Sequence, residues 1–457
     1  LKYEEIFLYL LKIQYLKKRR QTEEKAIMRN ISYQEVENFI STLPFELTKD
    51  QMETVKSIFK DLTTKKRMNR FVQGDVGSGK TIVAFLAAYM NFLSNHQTAL
   101  MVPTEILAVQ HYQNAKEVFK EIKINIGLLT SSVSKKEREN TFQKLENGEL
   151  DFIIGTQSLI QDNLHFSNLG LIIADEQHRF GVKQRELLRN KGISPDVLSM
   201  SATPIPRTYA LTLYGDMDIS NIKTKPKGRK EIITIFRQEK QIKEVLYKMK
   251  EELLKQHQIY VIAPSIEEEE GLNNVQIIYQ KMKSAFGKIA TIGMVHGKMK
   301  APEKEKVMKD FEQGKISILI STTVIEVGVN VPNASMMVIF QANLFGLSTL
   351  HQLRGRVGRG AIQSYCILIS NEPSERLSFL EKTNDGFLVS EYDFKTRGQG
   401  DLFGIRQSGD ALFKLANIKQ DYQMIVKVQQ DLLDFLKQKK DEYLELKKYL
   451  EEMDLLD

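Results

Sequence analysis

The sequence predicts an α/β protein built from two tandem units, each a mostly parallel sheet flanked by helices. Short apolar runs alternate with helical stretches, and most of these runs are apolar throughout rather than at every second residue. Continuous apolar runs are typical of parallel strands that are buried on both faces. The runs lie at 68–73, 98–103, 151–156, 169–176 and 197–203, then at 259–263, 291–297, 316–322, 336–340 and 364–370.

A polar stretch with Pro and Gly, TKPKGRK at 224–230, separates the two series. Pro and Gly interrupt helices and strands, so we expect a linker there. Residues 1 to about 40 have helical spacing of apolar residues, and so has the chain from about 410, with Ile425, Val428, Leu432, Phe435, Tyr443, Leu446 and Leu450. We predict a helical connector at 1–42, a first α/β domain at 43–223, a linker at 224–231, a second α/β domain at 232–382, and a C-terminal extension at 383–457.

Composition narrows the class of protein. The 457 residues are 42% hydrophobic and 27% charged, as in a globular protein rather than a disordered chain. A single cysteine, Cys366, excludes an intramolecular disulfide framework, and no apolar run approaches the ~18 residues of a membrane span. We therefore expect a soluble, cytoplasmic protein with no membrane partner. The net charge of +7 favours a polyanionic partner such as nucleic acid, a signal that is weak on its own.

The segment GDVGSGKT at 74–81 matches the phosphate-binding pattern G-x-x-x-x-G-K-[ST] in full. A strand-like run precedes it and a helical run follows, so backbone N–H groups and the positive end of the helix can surround phosphate oxygens. Lys80 is expected to reach the β- and γ-phosphates, and the Thr81 hydroxyl to ligate Mg²⁺. The predicted nucleotide-binding residues of this loop are Gly74, Asp75, Val76, Gly77, Ser78, Gly79, Lys80 and Thr81.

Two acids follow the apolar run LIIA at 171–174. Asp175 would stand at the carboxyl end of a strand beside the phosphate loop and hold Mg²⁺. Glu176 would orient and deprotonate the attacking water. Hydrolysis also needs a cation beside the γ-phosphate, to stabilise the negative charge of the transition state. The segment HQLRGRVGRG at 351–360, in the second unit, supplies Arg354, Arg356 and Arg359. An arginine finger of this kind raises turnover by roughly 10³–10⁵.

The order of motifs resembles that of the superfamily 2 helicases, in which two RecA-like domains close on ATP. The segments that carry this resemblance are PFELTKDQ (44–51), GDVGSGKT, PTEILAVQH (103–111), DEQH (175–178), SATP (201–204), STTVIEVGVNVP (321–332) and QLRGRVGR (352–359). Within that superfamily, DEQHRFGVKQR (175–185) and TNDGF with DFKTRGQGDLFGIRQSG (383–409) resemble the bacterial RecG family of branch-migration helicases. The resemblance covers about residues 43–410. The transcription-repair coupling translocases share part of it.

The resemblance also implies residue roles. It makes Lys80, Asp175, Glu176, Arg356 and Arg359 catalytic, with Arg359 the preferred finger, and it assigns Gln51 to adenine recognition. The polar residues that it implies for DNA contact or for coupling are Thr104, Glu105, Thr156, Gln157, Ser201, Thr203, Glu326, Gly328 and Gln352. The glycine-punctuated loop 397–409 resembles the translocation motif of the RecG group, with Arg397, Arg406 and Gln407 as coupling residues.

The expected function is therefore an ATP- and Mg²⁺-dependent translocase on double-stranded DNA that remodels stalled forks and Holliday junctions. The sequence leaves open a transcription-repair coupling type of translocase, an RNA helicase, and a non-catalytic ATP-gated binding module. We further expect a monomer, a bacterial location near the nucleoid, and a single-strand-binding protein as a partner. Because the chain begins with Leu, and no wedge domain precedes residue 40, we expect the motor part of a longer protein.

Overall fold

The computed structural model describes residues 1–22, 28–205, 217–226, 228, 230–264, 268–322, 331–358, 360, 362–372, 374–396, 413–417 and 420–438. In this part of the chain, helices surround two parallel sheets. The α-helices are α1 Lys2–Thr22, α2 Tyr33–Thr42, α3 Lys49–Thr63, α4 Lys80–Phe92, α5 Glu105–Val118, α6 Lys135–Glu146, α7 Val182–Arg189, α8 Ile242–Leu254, α9 Glu268–Phe286, α10 Ala301–Glu312, α11 Leu347–Arg354, α12 Glu375–Lys382, α13 Gly386–Thr396 and α14 Tyr422–Gln438.

The first sheet has seven strands in the order β3-β4-β2-β5-β6-β1-β7, and every pair in it is parallel. Its inner strands are buried along their whole length, as their apolar runs predict. The strands are β1 Asn69–Gly74, β2 Gln97–Met101, β3 Ile126–Leu129, β4 Phe152–Gly155, β5 Leu169–Ala174, β6 Asp196–Ser201 and β7 Asp218–Ile222.

The second sheet has six strands in the order β10-β11-β9-β12-β13-β8, and it is also parallel throughout. The predicted fold class of two tandem parallel α/β domains is therefore confirmed. The strands are β8 Ile233–Arg237, β9 Gln258–Ile262, β10 Ile292–Val295, β11 Ile318–Ser321, β12 Ala334–Ile339 and β13 Tyr365–Ile369.

The apolar runs identified every inner strand, but three edge strands, β3, β7 and β8, were not predicted. The strands β7 and β8 each have one neighbour and are partly exposed, and their sequences mix polar with apolar residues. The strand β3, IGLL, is apolar but only four residues long. In β7, DISNI, only Ile222 is buried. Such a segment lacks the continuous apolar run by which the inner strands are recognised.

The functional motifs follow strands that are neighbours in the first sheet. The phosphate loop follows β1 and the two acids follow β5, while Ser201 ends β6, which pairs with both β5 and β1. Because all three strands are parallel, their carboxyl ends meet at one edge. The topology therefore brings motifs that lie about a hundred residues or more apart in sequence into one site.

The N-terminal helix α1 packs against the C-terminal helix α14. Ile6, Leu10 and Leu11 of α1 share a buried cluster with the apolar face of α14, which includes Ile425 and Val428. The face predicted from helical spacing is thus confirmed for α14, whereas Tyr443, Leu446 and Leu450 lie outside the described residues. None of the helices in the described ranges is both long enough and apolar enough to span a bilayer.

The expectation of helix through residues 1 to about 40 is wrong at residues 28–32, which are not helical. Arg29 is only 2% exposed there and its guanidinium ion-pairs with Asp196 at the start of β6. It also donates to the Asn91 side chain and to the backbone oxygen of Gly170, at 2.6 Å and 2.7 Å. These contacts hold Arg29 under the amino edge of the sheet, and Ser32 caps the start of α2.

We predict that Arg29→Met destabilises the first α/β unit by about 3–5 kcal/mol, because it leaves the Asp196 carboxylate buried without its cation. Denaturant unfolding followed by circular dichroism measures the loss. Arg237→Met is the matched control: its partner Glu244 is 60% exposed, and an exposed pair contributes about 0–1 kcal/mol. Equal losses in the two variants would contradict the buried role of Arg29.

Candidate active site

The phosphate loop is shaped by two glycines that cannot be replaced without a collision. Gly79 has the left-handed φ of 81° and precedes α4, whose N-terminus has no side-chain cap. A Cβ on Gly74 would lie 2.5 Å from Ser78 Oγ and 2.7 Å from the Ile222 backbone oxygen. The uncapped N–H groups at the start of α4 therefore face the loop, which is the arrangement that binds anions.

Three side chains complete the interior of the loop. Lys80 Nζ donates to the backbone oxygens of Gly74 and Asp75 at 2.7 Å and 3.0 Å, and its burial lowers its pKa. Gln51 caps α3 with its oxygen and donates with Nε2 to the Ser78 backbone oxygen at 2.8 Å. Among the described residues, the buried Ser78 hydroxyl has no hydrogen-bond partner, so the loop retains an unsatisfied donor for a phosphate oxygen.

The acid pair lies at the carboxyl end of β5 with its two carboxylates held differently. Asp175 Oδ2 lies 3.0 Å from His111 Nε2, and Glu176 Oε2 accepts from the Ala202 backbone N–H at 3.1 Å. Burial acts to raise the pKa of Asp175, but the hydrogen bond to His111 and the charges of His111 and Lys80 outweigh it, and the pKa is lowered. For Glu176, burial and the neighbouring Asp175 raise the pKa. One carboxylate is thus kept ionised while the other is made more basic.

The second unit brings Arg356 to this group. Arg356 is 8% exposed, and its charge interacts with both Lys80 and Glu176. It follows the last turn of α11, where a Cβ on Gly355 would lie only 2.7 Å from Val76 Cβ of the phosphate loop. The cleft is therefore closed tightly enough here for the two units to touch.

The other two arginines of the cluster differ from Arg356. Arg354 is buried and its Nη1 donates to the backbone oxygens of Leu380 and Thr383 at 2.9 Å and 2.7 Å, so it holds elements of the second unit together. Arg359, the preferred finger in the sequence analysis, lies outside the described residues.

Several polar residues at the proposed site were not predicted from the sequence. His111 stands in the quoted motif 103–111 and His351 opens the string 351–360, but neither was assigned a role. His351 Nε2 lies 2.5 Å from Asp75 Oδ1, and Lys225 Nζ lies 3.2 Å from Asp75 Oδ2. Gln177 is buried with both amide atoms unsatisfied within the described part of the chain. A single histidine beside a motif does not indicate a role in the sequence, because the carboxylate that it pairs with is distant along the chain.

The residues predicted for DNA contact on the first unit follow neighbouring strands. Thr104 caps α5 after β2, with its hydroxyl accepting from the Leu107 N–H, and Glu105 accepts from the Ser131 N–H at 3.0 Å. Thr156 and Gln157 follow β4, which pairs with β2. All four therefore lie along the same carboxyl edge as the phosphate loop, on the far side of β5 in the strand order.

The residues predicted to couple the two faces fall into two groups. Ser201 Oγ and Thr203 Oγ1 are 2.7 Å apart, and Thr203 lines a narrow cavity with Ala202, Gln352 and Val389. The structure thus brings the SATP segment against α11 and α13. Glu326, Gly328, Arg397, Arg406 and Gln407 lie outside the described residues.

The donors at the site fit a nucleotide with Mg²⁺. Thr81 is the second residue of α4, directly after Lys80, and Asp175 offers a buried carboxylate whose pKa is lowered. A hydroxyl and a carboxylate oxygen are therefore available to a hard cation that retains waters. Within the described ranges there is no group of three or more His, Cys, Asp or Glu side chains that could hold a metal by itself.

Three family models match the chain. They are the DEAD/DEAH box helicase at residues 48–211, the helicase conserved C-terminal domain at 240–361, and the C-terminal part of domain 3 of the ATP-dependent DNA helicase RecG at 383–453. Together they account for most of the chain, in the order of a helicase motor.

Relatives agree with the models. The ATP-dependent DNA helicases RecG of Staphylococcus aureus (strain NCTC 8325 / PS 47) and of Staphylococcus epidermidis (strain ATCC 12228 / FDA PCI 1200) are each 49% identical over 430 residues, covering 93% of this chain and 62% and 63% of theirs. A structure of RecG bound to a three-way DNA junction is 41% identical, with a TM-score of 0.77, covering 93% of this chain and 56% of that one. The helicase MrfA bound to DNA, 19% identical, covers 81% of this chain and 55% of its own with a TM-score of 0.58, which shows the fold alone. The chain spans about three fifths of the length of the curated relatives it matches.

We predict that Gly355→Ala lowers ATP turnover by up to about 10²-fold, because its Cβ would push Val76 and the phosphate loop away from α11 and a displacement near 1 Å misplaces Arg356. Steady-state ATPase assays measure the change. Gly297→Ala is the control, since a Cβ there meets nothing within 4 Å. Unchanged turnover in Gly355→Ala would mean that close contact of the two units is not needed for hydrolysis.

Proposed function

Because the chain is a homologue of the bacterial ATP-dependent DNA helicase RecG and thereby a member of its family, we propose that it is an ATP-driven motor on double-stranded DNA. The energy of ATP hydrolysis would move it along duplex DNA and remodel branched DNA, such as stalled replication forks and Holliday junctions. The proposal extends to a protein that acts as a monomer in the bacterial cytoplasm, near the nucleoid, with a single-strand-binding protein as a partner.

One observation supports the ATPase most directly: charges from both units converge on the phosphate loop. Lys80, Asp175 and Glu176 come from the first unit, and Arg356 from the second interacts with Lys80 and Glu176. A module that only binds ATP would need Lys80, but it would need neither a carboxylate with a raised pKa, such as Glu176, nor an arginine from the second unit. The combination favours hydrolysis over simple binding.

Each residue then has a chemical role. The loop N–H groups and Lys80 bind the phosphates, Gln51 reads the adenine edge, and Thr81 with Asp175 holds Mg²⁺. Mg²⁺ would neutralise charge on the phosphate oxygens. Glu176, whose pKa is raised by burial, takes the proton of the attacking water, and Arg356 with Arg359 stabilises the charge that develops on the γ-phosphate.

DNA contact is proposed for the carboxyl edge beyond β5. Thr104, Glu105, Thr156 and Gln157 follow the adjacent strands β2 and β4, so one nucleic acid could contact all of them. Ser201 ends β6, which lies between β5 and β1 in the sheet, and Gln352 lines a cavity with Thr203. These three residues are proposed to couple the two sites. Glu326 and Gly328, together with Arg397, Arg406 and Gln407 of the loop 397–409, are proposed to transmit closure of the cleft to the DNA.

We predict that ATP hydrolysis depends on Mg²⁺, is stimulated by DNA, and is abolished in Lys80→Ala. Glu176→Gln removes the base and leaves Asp175 in place, so it should bind ATP without turning it over. The control is Glu146→Gln, which makes the same change at an exposed residue of α6 and should bind and hydrolyse ATP as the parent does.

Stimulation is compared on a three-way DNA junction, plain duplex, single-stranded DNA and RNA. The proposal expects the strongest stimulation by branched or duplex DNA. Stimulation by RNA alone would indicate an RNA helicase, and ATP binding without any hydrolysis would indicate the non-catalytic module. Equal turnover in the parent and in Lys80→Ala would overturn the nucleotide assignment.

A further inference from the structure

The phosphate loop and the second unit are joined by a histidine that pairs with Asp75 of the loop. His351 belongs to α11, is 5% exposed, and its Nε2 lies 2.5 Å from Asp75 Oδ1. Asp75 Oδ1 also accepts from the Val76 N–H at 2.7 Å. The same carboxylate therefore shapes the phosphate loop and binds the opposite wall of the cleft.

The other nitrogen of His351 extends this contact into the second unit. Arg354 Nη2 lies 2.7 Å from His351 Nδ1, and a guanidinium can only donate. His351 Nδ1 must therefore accept, which leaves the ring proton on Nε2 to be donated to Asp75. A neutral histidine satisfies both partners at once, and burial, opposed by Asp75, lowers its pKa and favours that neutral form.

The chain of contacts ends at the segment 383–387, which opens the part of the chain that matches the RecG-specific model. Arg354 Nη1 donates to the Thr383 backbone oxygen at 2.7 Å. Gly386 stands directly over the pair, since a Cβ there would lie 2.6 Å from His351 Nε2 and 3.1 Å from Asp75 Oδ1. Lys225 of the interdomain segment touches Asp75 as well, so three parts of the chain meet at this carboxylate.

Arg356 depends on the same turn. Its N–H donates to the Leu353 backbone oxygen at 2.9 Å, and the Val357 N–H donates to the Arg354 backbone oxygen at 3.3 Å. A change in the position of Arg354 therefore moves the backbone that carries Arg356. The geometry links the loop that would bind phosphate to the arginine that would face it, through His351.

We propose that His351 is a positioning residue of the ATPase: by joining Asp75 to Arg354 it holds Arg356 at the phosphate loop and links the state of the cleft to segment 383–387. This inference rests on the proposed function. It assigns His351 no contact with ATP, and it predicts an effect on turnover rather than on binding.

The test compares His351→Phe with the parent in DNA-stimulated ATPase assays. Phe keeps the ring volume but offers neither donor nor acceptor, so kcat is expected to fall about 10- to 100-fold while KM for ATP changes less than threefold. His351→Gln retains an amide N–H toward Asp75 and should recover part of kcat. His257→Phe is the matched control, because His257 pairs with Glu252 in the same unit and should leave kcat unchanged.

Two further measurements separate positioning from stability. In a double-mutant cycle, Asp75→Asn and His351→Phe should be non-additive, because each breaks the same contact. Gly386→Ala would place a methyl group against His351 and Asp75 while leaving both residues in place, so it should also lower kcat. This variant provides a second test if His351→Phe does not fold.

The outcomes are distinct. A parent protein without ATPase activity would overturn the proposed function. A parent with DNA-stimulated ATPase and a folded His351→Phe with the same kcat, or additive effects in the cycle, would overturn the role of His351 alone. A loss in His351→Phe that His257→Phe matches would show a merely structural histidine.

Discussion

The contact between the phosphate loop and the last turn of α11 is the constraint on which the site depends. Val76 packs against Gly355 so closely that a methyl group on the glycine would overlap it, and Asp75 meets His351 beside this contact. Since Arg356 follows Gly355, the same contact brings its charge to Lys80 and Glu176. Lys80 and Glu176 come from the first unit and Arg356 from the second, so the proposed chemistry needs both units.

Buried carboxylates at opposite ends of the strands have different partners. At the amino ends, Arg29 with Asp196, and Glu252 with His257 and Ser335, tie helices to the sheets. For Glu252, burial acts to raise the pKa, but hydrogen bonds from Ser335, His257 and Lys255 outweigh it and hold the pKa at about 2. At the carboxyl ends, Asp175 and Asp75 each carry a histidine partner that leaves the carboxylate ionised at the loop. At one edge such contacts join helices to the sheets, and at the other they hold carboxylates beside the proposed nucleotide site.

The sequence was sufficient for features that are local or contiguous. The phosphate loop, the acids after β5 and the inner strands each carry a signal within about ten residues, and both sheets are parallel as their apolar runs predict. The edge strands β7 and β8 lack that signal because polar residues interrupt their partly exposed sequences, and β3 is apolar but only four residues long. The pairs Asp75–His351 and His111–Asp175 join residues 276 and 64 positions apart, and nothing local to either partner reveals them. The burial of Arg29 could not be predicted, because an arginine between two helices is ordinarily solvated and only the fold shows that this one is buried.

Substitution of Arg356 tests most directly whether the second unit completes the proposed site, because the charge of Arg356 interacts with Lys80 and Glu176 of the first unit. ATP binding and single-turnover hydrolysis are measured for the parent, Arg356→Lys and Arg356→Ala in the presence of duplex DNA. If the site is completed across the cleft, Arg356→Ala binds ATP within a fewfold of the parent but hydrolyses it about 10³-fold more slowly, and Arg356→Lys restores only part of the rate because an ammonium cannot reproduce the guanidinium fork. Hydrolysis by Arg356→Ala at the rate of the parent would contradict this account, because the first unit alone would then suffice for the chemistry.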